Sequence, residues 1–289
     1  MESWTNYHNH SHYCDGVDTL ETHILSAVEK GVLSLGFSSH NPVLFENKWS
    51  MPQEKLPAYL SELDALKKKY ESQISIHKGL EIDYFPDNSL PIQDWKKMAD
   101  LDYTIGSVHF VGGFDDGTPW EIDGTLSVFK KGLLEIYQND IQKALKDYYE
   151  ILYHMLEHDC PDILGHFDKI KMHNCKEKFF DETARWYVKL IDELLERAKD
   201  KHVIIEVNTR GIYKKLTDEP YPGIPFLKKI KNLNIPICLN SDAHHPKEII
   251  LEYENTAKLL KNIGFKELMV LKNNSWQAVG FEETGIFYL

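Results

Sequence analysis

A closed barrel of parallel strands wrapped by helices is the fold class the sequence predicts. Seven short apolar runs alternate strictly with helical stretches over 289 residues, which implies parallel pairing through right-handed crossovers. Nearly every run ends in a histidine or an acid, and a parallel barrel opens all its strand C-termini at one end. An open doubly wound sheet fits the alternation equally well. The ring is preferred because only closure brings all the strand ends together.

The first run leads into Asn6-Tyr-His-Asn-His-Ser-His12, where His8 and His10 stand two apart and share a face in extended chain. Asp15-Gly16 marks a turn, and Thr19 caps a helix to about residue 30, with Gly31 as its stop. A second strand, 32–40, ends in His40. A helix over 54–70 carries the stripe Leu56, Leu60, Leu63 and Leu66. The third strand, 74–84, holds Glu81 and Asp83 at its polar end. A short helix over 89–98 precedes the fourth strand, 103–109, which ends in His109.

Residues 111–124, rich in Gly and Asp around Trp120, read as a mobile loop, a lid over the strand ends. A helical region over 126–158, breaking into two, leads to the fifth strand, 162–168, with His166 and Asp168. A helix over 181–201 precedes the sixth strand, 203–211, which carries Glu206 and Arg210. A Pro-rich loop and a short basic helix follow. The seventh strand is Ile235-Pro-Ile-Cys-Leu-Asn-Ser-Asp-Ala-His244, where Asp242 and His244 would share a face. A helix over 246–262 and a short strand over 268–271 finish the chain. No linker interrupts the series, so residues 1–289 are expected to form one barrel domain.

Composition narrows the function. The formal charge of −12 argues against nucleic acid, which needs a basic surface, and leaves an anionic substrate in need of local positive charge. No apolar run approaches the roughly 20 residues that span a bilayer. The N-terminus lacks a basic start and an apolar stretch, so it is no secretory signal, and the cytoplasm is the expected location. Cys14, Cys160, Cys175 and Cys238 form no Cys-x-x-Cys pair and read as free thiols. Nothing specifies self-association; a homodimer is the assembly to test.

Pooling the strand ends gives His8, His10, His40, Glu81, His109, His166, Asp242 and His244, with Asp15 just beyond the first strand. Such nitrogen and oxygen donors without thiolate suit zinc, manganese or iron. The set is too large for one ion and suits two or three divalent ions bridged by a carboxylate. His77, His154, His158, His173 and His202 lie mid-strand, on helices or in loops and read as structural. Asp83 reads equally as a capping acid or a ligand.

The chain resembles the PHP (polymerase and histidinol phosphatase) superfamily, and within it the monofunctional histidinol-phosphatases. The resemblance rests on His8-Asn-His10 with Asp15-Gly16, Ser39-His40, Gly79-Leu-Glu81-Ile-Asp83 and Gly106-Ser-Val-His109. It continues in Leu164-Gly-His166-Phe-Asp168, Glu206-Val-Asn-Thr209 and Ser241-Asp242-Ala-His244, in family order. It implies a distorted (β/α)7 TIM-like barrel with a trinuclear metal site at the C-terminal ends of the strands. By resemblance, His8, His10, Glu81 and Asp242 would hold one ion, and Glu81 would bridge to a second held by His109 and His166. Asp15, His40 and His244 would hold a third, with His12 the alternative to Asp15.

The expected reaction is hydrolysis of a small phosphate ester, L-histidinol phosphate, to L-histidinol and phosphate. Water activated between the ions would attack phosphorus in line with the leaving alkoxide, and the ions would offset the −12 charge locally. Arg210 is the expected phosphate clamp, since guanidinium binds phosphate bidentately. Glu206 would orient a ligand from behind. Asp242, His244 or a metal-activated water would protonate the leaving group, and His12, His245 and the Trp120 loop are further substrate contacts. Another small phosphoester or a nucleotide 3′-phosphate is the alternative substrate. An amidohydrolase also starts with His-x-His, but would need a bridging lysine in 103–109, where there is none. A non-catalytic metal-binding module would bind ions without turnover.

Overall fold

The computed structural model describes residues 3–86 and 90–287. The chain runs β1 (Thr5–Asn6), α1 (Leu20–Glu29), β2 (Ser34–Phe37), α2 (Leu56–Lys69), β3 (Ser75–Asp83), α3 (Ile92–Met98) and β4 (Tyr103–Ser107). It continues β5 (Phe110–Gly113), β6 (Pro119–Glu121), α4 (Leu126–Glu135), α5 (Ile141–His158), β7 (Ile163–Leu164) and α6 (Arg185–Asp200). Then follow β8 (Ile204–Asn208), α7 (Arg210–Tyr213), α8 (Ile224–Leu233), β9 (Ile237–Asn240), α9 (Tyr253–Ile263), β10 (Glu267–Lys272), β11 (Ser275–Glu282) and β12 (Gly285–Ile286).

β1, β2, β3, β4, β7, β8 and β9 lie side by side in that order, each pair parallel. The ring closes just past the strand ends, where Asn9 and Ala243 form a parallel bridge. There the His10 amide donates to the Ala243 carbonyl at 2.8 Å and the Ala243 amide to the His8 carbonyl at 3.1 Å. The strands predicted from the sequence thus form a TIM-like barrel, distorted by the two-residue strands β1 and β7.

The opposite end of the barrel is plugged. Tyr7, Tyr103, Ile105, Ile163, Ile204 and Cys238 pack there as one buried cluster. Tyr103 lies across Gly36 and Gly79, where a Cβ would collide with its ring, so both strands need glycine at that point. Trp276 of β11 packs edge-on to Tyr7 at 5.1 Å, and the Leu271 amide donates to the Tyr7 hydroxyl at 2.9 Å. The C-terminal meander therefore caps the floor, leaving the other end for chemistry.

Local signals account for most boundaries. Thr19 Oγ1 accepts from the Thr22 amide at 3.2 Å, the expected cap of α1, and Gly31 follows at φ 71°. α4 and α5 separate at Gln138 and Asn139, both at positive φ, and Asp140 caps α5 by accepting from the Lys143 amide at 3.0 Å. The helix predicted over 89–98 is seen from Ile92, and Ser89 lies outside the described residues.

Two expectations change form. Residues 111–124 are largely the antiparallel hairpin β5–β6, held down by fully buried Trp120, which packs on Gly132 of α4 and on Phe129 at 5.2 Å. The strand expected over 268–271 is the first of three antiparallel strands, turned by Asn273 and Asn274 at φ 50° and 58°. Among the described residues no helix is long and apolar enough to cross a membrane.

Candidate metal centre

Eight of the nine expected ligands are drawn together by the strand ends, seven of them buried, and Asp15 joins from the mouth with 29% of its side chain exposed. Glu81 on β3 is the hub. Its Oε2 lies 3.1 Å from His8 Nε2, 3.3 Å from His10 Nε2 and 3.3 Å from His40 Nδ1. Its Oε1 lies 3.0 Å from His166 Nε2 and 3.7 Å from His109 Nε2. One carboxylate facing five imidazoles on two sides is the arrangement a bridging ligand requires.

The i, i+2 spacing works for His8 and His10, whose Nε2 atoms meet the same oxygens of Glu81 and Asp242. It does not explain Asp242 and His244. β9 ends at Asn240, and Asp242 has φ 53°, so no extended chain alternates there. Asp242 is held in that left-handed conformation by hydrogen bonds to its carbonyl from Arg210 at 2.8 Å and from the Tyr213 hydroxyl at 3.1 Å. The turn still brings Asp242 Oδ1 to 3.4 Å from His10 Nε2 and 3.4 Å from His244 Nδ1.

Four compact donor groups result: His10, Asp15, His40 and His244; His8, His10 and Asp242; His8, Glu81 and His166; and His40, Asp83 and His109. The donors fit a divalent cation on three grounds. The buried Nε2 atoms of His8, His10 and His109 have no hydrogen-bond partner among the described residues. Burial pulls the His8 imidazole down, yet Glu206, Glu81 and Asp242 outweigh it and leave it raised at about 10. Likewise, burial pushes the Asp242 carboxyl up, but His8, Arg210 and His10 hold it well below the usual range. The acids therefore compensate positive charge gathered among them. His166 and His244 are the exceptions: burial and Lys169 hold the His166 imidazole down, and burial, His10 and Arg210 hold that of His244 down at about 3, the neutral form a metal ligand needs.

Glu206 stands behind the cluster as expected. Its Oε1 lies 2.6 Å from His8 Nδ1 and accepts from Asn240 Nδ2 at 3.0 Å. Its Oε2 accepts from the His166 amide and from Asn208 Nδ2, both at 3.1 Å.

A cavity of about 540 Å³ opens over the cluster. Arg210 lines it, from the first turn of α7 rather than from the end of β8. One of its terminal nitrogens also lies 2.8 Å from His244 Nδ1. His12 and His245 are not among the lining residues. His12 is exposed and packs at a tilt against Tyr13, ring centroids 4.3 Å apart, outside every donor group, and His245 Nδ1 accepts from the Lys247 amide at 3.1 Å. Of the hairpin segment, Glu121, Asp123 and Gly124 line the cavity, whereas Trp120 faces α4.

Sequence reasoning missed Lys169, Asp123, Glu121 and Trp49, all on the cavity wall. Lys169 Nζ lies 2.7 Å from Asp123 Oδ2. Trp49 stacks on Phe110 at 5.1 Å and meets the edge of His40 at 4.5 Å. Three of these come from segments without apolar periodicity. Lys169 stood one residue past His166-Phe-Asp168, a signal that was available.

The PHP domain family matches residues 6–210. The probable histidinol-phosphatase of Deinococcus radiodurans is 26% identical over 260 residues, 89% of this chain and 92% of that protein. The histidinol-phosphatase of Bacillus subtilis is 27% identical over 264 residues, 86% of this chain and 96% of that protein. In fold, the chain is similar to histidinol phosphate phosphatase from Lactococcus lactis, solved with zinc, L-histidinol and phosphate; the TM-score is 0.69 at 22% identity over 99% of each chain. A match over residues 6–210, most of the chain, places it: the protein belongs to the PHP domain family.

Proposed function

We propose that the protein is a metal-dependent phosphomonoesterase that hydrolyses L-histidinol phosphate to L-histidinol and phosphate. The observation that carries this reading is the convergence of nine nitrogen and oxygen donors beneath a cavity that also presents Arg210. Relatives named histidinol-phosphatase, aligned over most of both chains, support the substrate.

Two or three divalent ions, zinc, manganese or iron, would be held by His8, His10, Asp15, His40, Glu81, His109, His166, Asp242 and His244. When bound they supply an activated water and neutralise charge on the phosphoryl oxygens. Arg210, charged and braced by the Asp242 carbonyl, presents its remaining N–H groups to a phosphate in the cavity. Lys169 adds a second positive charge, held on the wall by Asp123. The amine of the substrate is cationic, and Glu121 suits it. Its carboxylate is half-buried on the wall with no ion-pair partner among the described residues, and burial and Asp123 raise its pKa. Asp242 is held ionised and His244 neutral, so both suit ligand roles better than donation of a proton to the leaving alkoxide.

Phosphate release from a panel of phosphomonoesters tests the assignment. L-histidinol phosphate should show the highest kcat/KM. Preference for another ester by orders of magnitude would retain the site and remove the substrate.

A further inference from the structure

Asp83 has no place in the ligand scheme above, yet it is the last residue of β3 and fully buried. It stands two residues after Glu81, so both carboxylates project from the same face of the strand. Its backbone amide donates to Asn41 Oδ1 at 2.8 Å, which ties it to the chain beside His40. Its Oδ1 lies 2.6 Å from His109 Nδ1 and 3.3 Å from His40 Nδ1, while its Oδ2 lies 3.2 Å from His40 Nδ1 without a hydrogen bond. Among the described residues, these two imidazoles are the side chains that form hydrogen bonds or ion pairs with the carboxylate.

Together with His40 and His109, Asp83 could itself form a metal-binding triad. The 2.6 Å contact argues for another role. A carboxylate oxygen that close to an imidazole nitrogen accepts its proton, and a proton between the two atoms excludes a cation. With Nδ1–H committed to Asp83, the lone pair of His109 sits on Nε2, which is buried, free of hydrogen bonds and directed at Glu81 Oε1, 3.7 Å away. His40 Nδ1 lies 3.3 Å from both Asp83 Oδ1 and Glu81 Oε2, and its donation to Asp83 leaves its Nε2 toward Asp15 Oδ1, 3.9 Å away.

We infer that Asp83 is a positioning residue shared by two imidazoles that serve different ions: it fixes the Nδ1–H form of both His40 and His109 and directs both Nε2 atoms into the cluster. The inference rests on the metal-centre reading and adds a coupling to it. Glu206 orients one ring, His8, so its loss disturbs the ion at His8. Asp83 orients two, so its loss disturbs two ion positions together while the ion of His8, His10 and Asp242 stays.

The test uses zinc-loaded protein dialysed against a graded chelator series, with retained zinc counted by elemental analysis. The His40→Ala, His109→Ala and Asp242→Ala variants assign the ion classes. In Asp83→Asn, the classes weakened by His40→Ala and by His109→Ala should both leave at roughly 10- to 100-fold lower chelator, the usual cost of losing a carboxylate behind a metal-bound histidine. The class assigned by Asp242→Ala should remain. Parent-like retention, or loss of one class only, overturns the shared role, whereas a parent that holds no zinc overturns the metal reading itself. If Asp83→Asn does not fold, imidazole 15N spectra of the zinc-loaded parent decide. Nδ1–H at both His40 and His109 is expected, and Nε2–H at either overturns the proposal.

Discussion

Glu206 Oε1 lies 2.6 Å from His8 Nδ1, and that contact decides which nitrogen of His8 faces the cluster. A carboxylate accepting at Nδ1 leaves Nε2 for the shared oxygens of Glu81 and Asp242. Glu206→Gln should therefore weaken the ion at His8 by roughly 10- to 100-fold while the fold persists, because Asn208 and Asn240 still pack around the amide. Chelator competition followed by circular dichroism checks both halves.

Arg210 has two tasks that one substitution separates. Its side chain braces Asp242 and His244 and also faces the cavity. Arg210→Lys keeps the charge but loses the planar fork, so kcat/KM should fall about 10- to 100-fold, the worth of roughly 1.5–3 kcal/mol for a charged hydrogen bond. Metal content should stay at the parent level. Loss of an ion in this variant would mean that Arg210 acts mainly by holding His244.

Glu121 gives a specificity test. In Glu121→Gln the KM for L-histidinol phosphate should rise about tenfold or more, an effect of roughly 1.4 kcal/mol or more. A phosphoester without a cationic group should be hydrolysed as before. Equal losses on both substrates would assign Glu121 to the hairpin's structure instead.

His23, on the inner face of α1, should sensitise the fold to acid. Its Nε2 donates to the Val17 carbonyl at 2.9 Å, and burial holds its imidazole at about 4 against an ordinary 6.5. The unfolded chain takes up this proton first, so stability is full above about pH 6.5 and is lost as pH falls toward 4. The loss approaches roughly 3 kcal/mol at the acid end. Denaturant melts of His23→Gln should show a flatter dependence over that window than the parent. Parallel curves would contradict the burial account.

The barrel was legible because strand and helix periods alternate along the chain, and because ligand-type residues such as His40, His109 and His166 punctuate the strand ends. The meander was only partly legible. Asn273-Asn274 is a hairpin signal at the level of a dipeptide, but residues 275–282 carry apolar side chains too thinly to announce a strand. Asp83 was within reach of the alternation rule, since it follows Glu81 by two on one strand. Its partners were not, because the meeting of His40 and His109 depends on the pairing of β2, β3 and β4. Asp242 reached the cluster for a different reason from the one its spacing suggested, a left-handed turn braced by Arg210. The cavity walls, Glu121, Asp123 and Trp49, belong to segments whose conformation is set by packing elsewhere, as Trp120 on Gly132 illustrates.

The central claim is that the clustered donors hold a catalytic set of ions. The most direct measurement is elemental analysis of protein purified without chelator, combined with phosphate release from L-histidinol phosphate before and after metal removal. The account predicts at least two divalent ions per chain, activity lost on chelation and activity restored by zinc, manganese or iron. Fewer than two ions per chain, with no activity restored by any of the three, would contradict it.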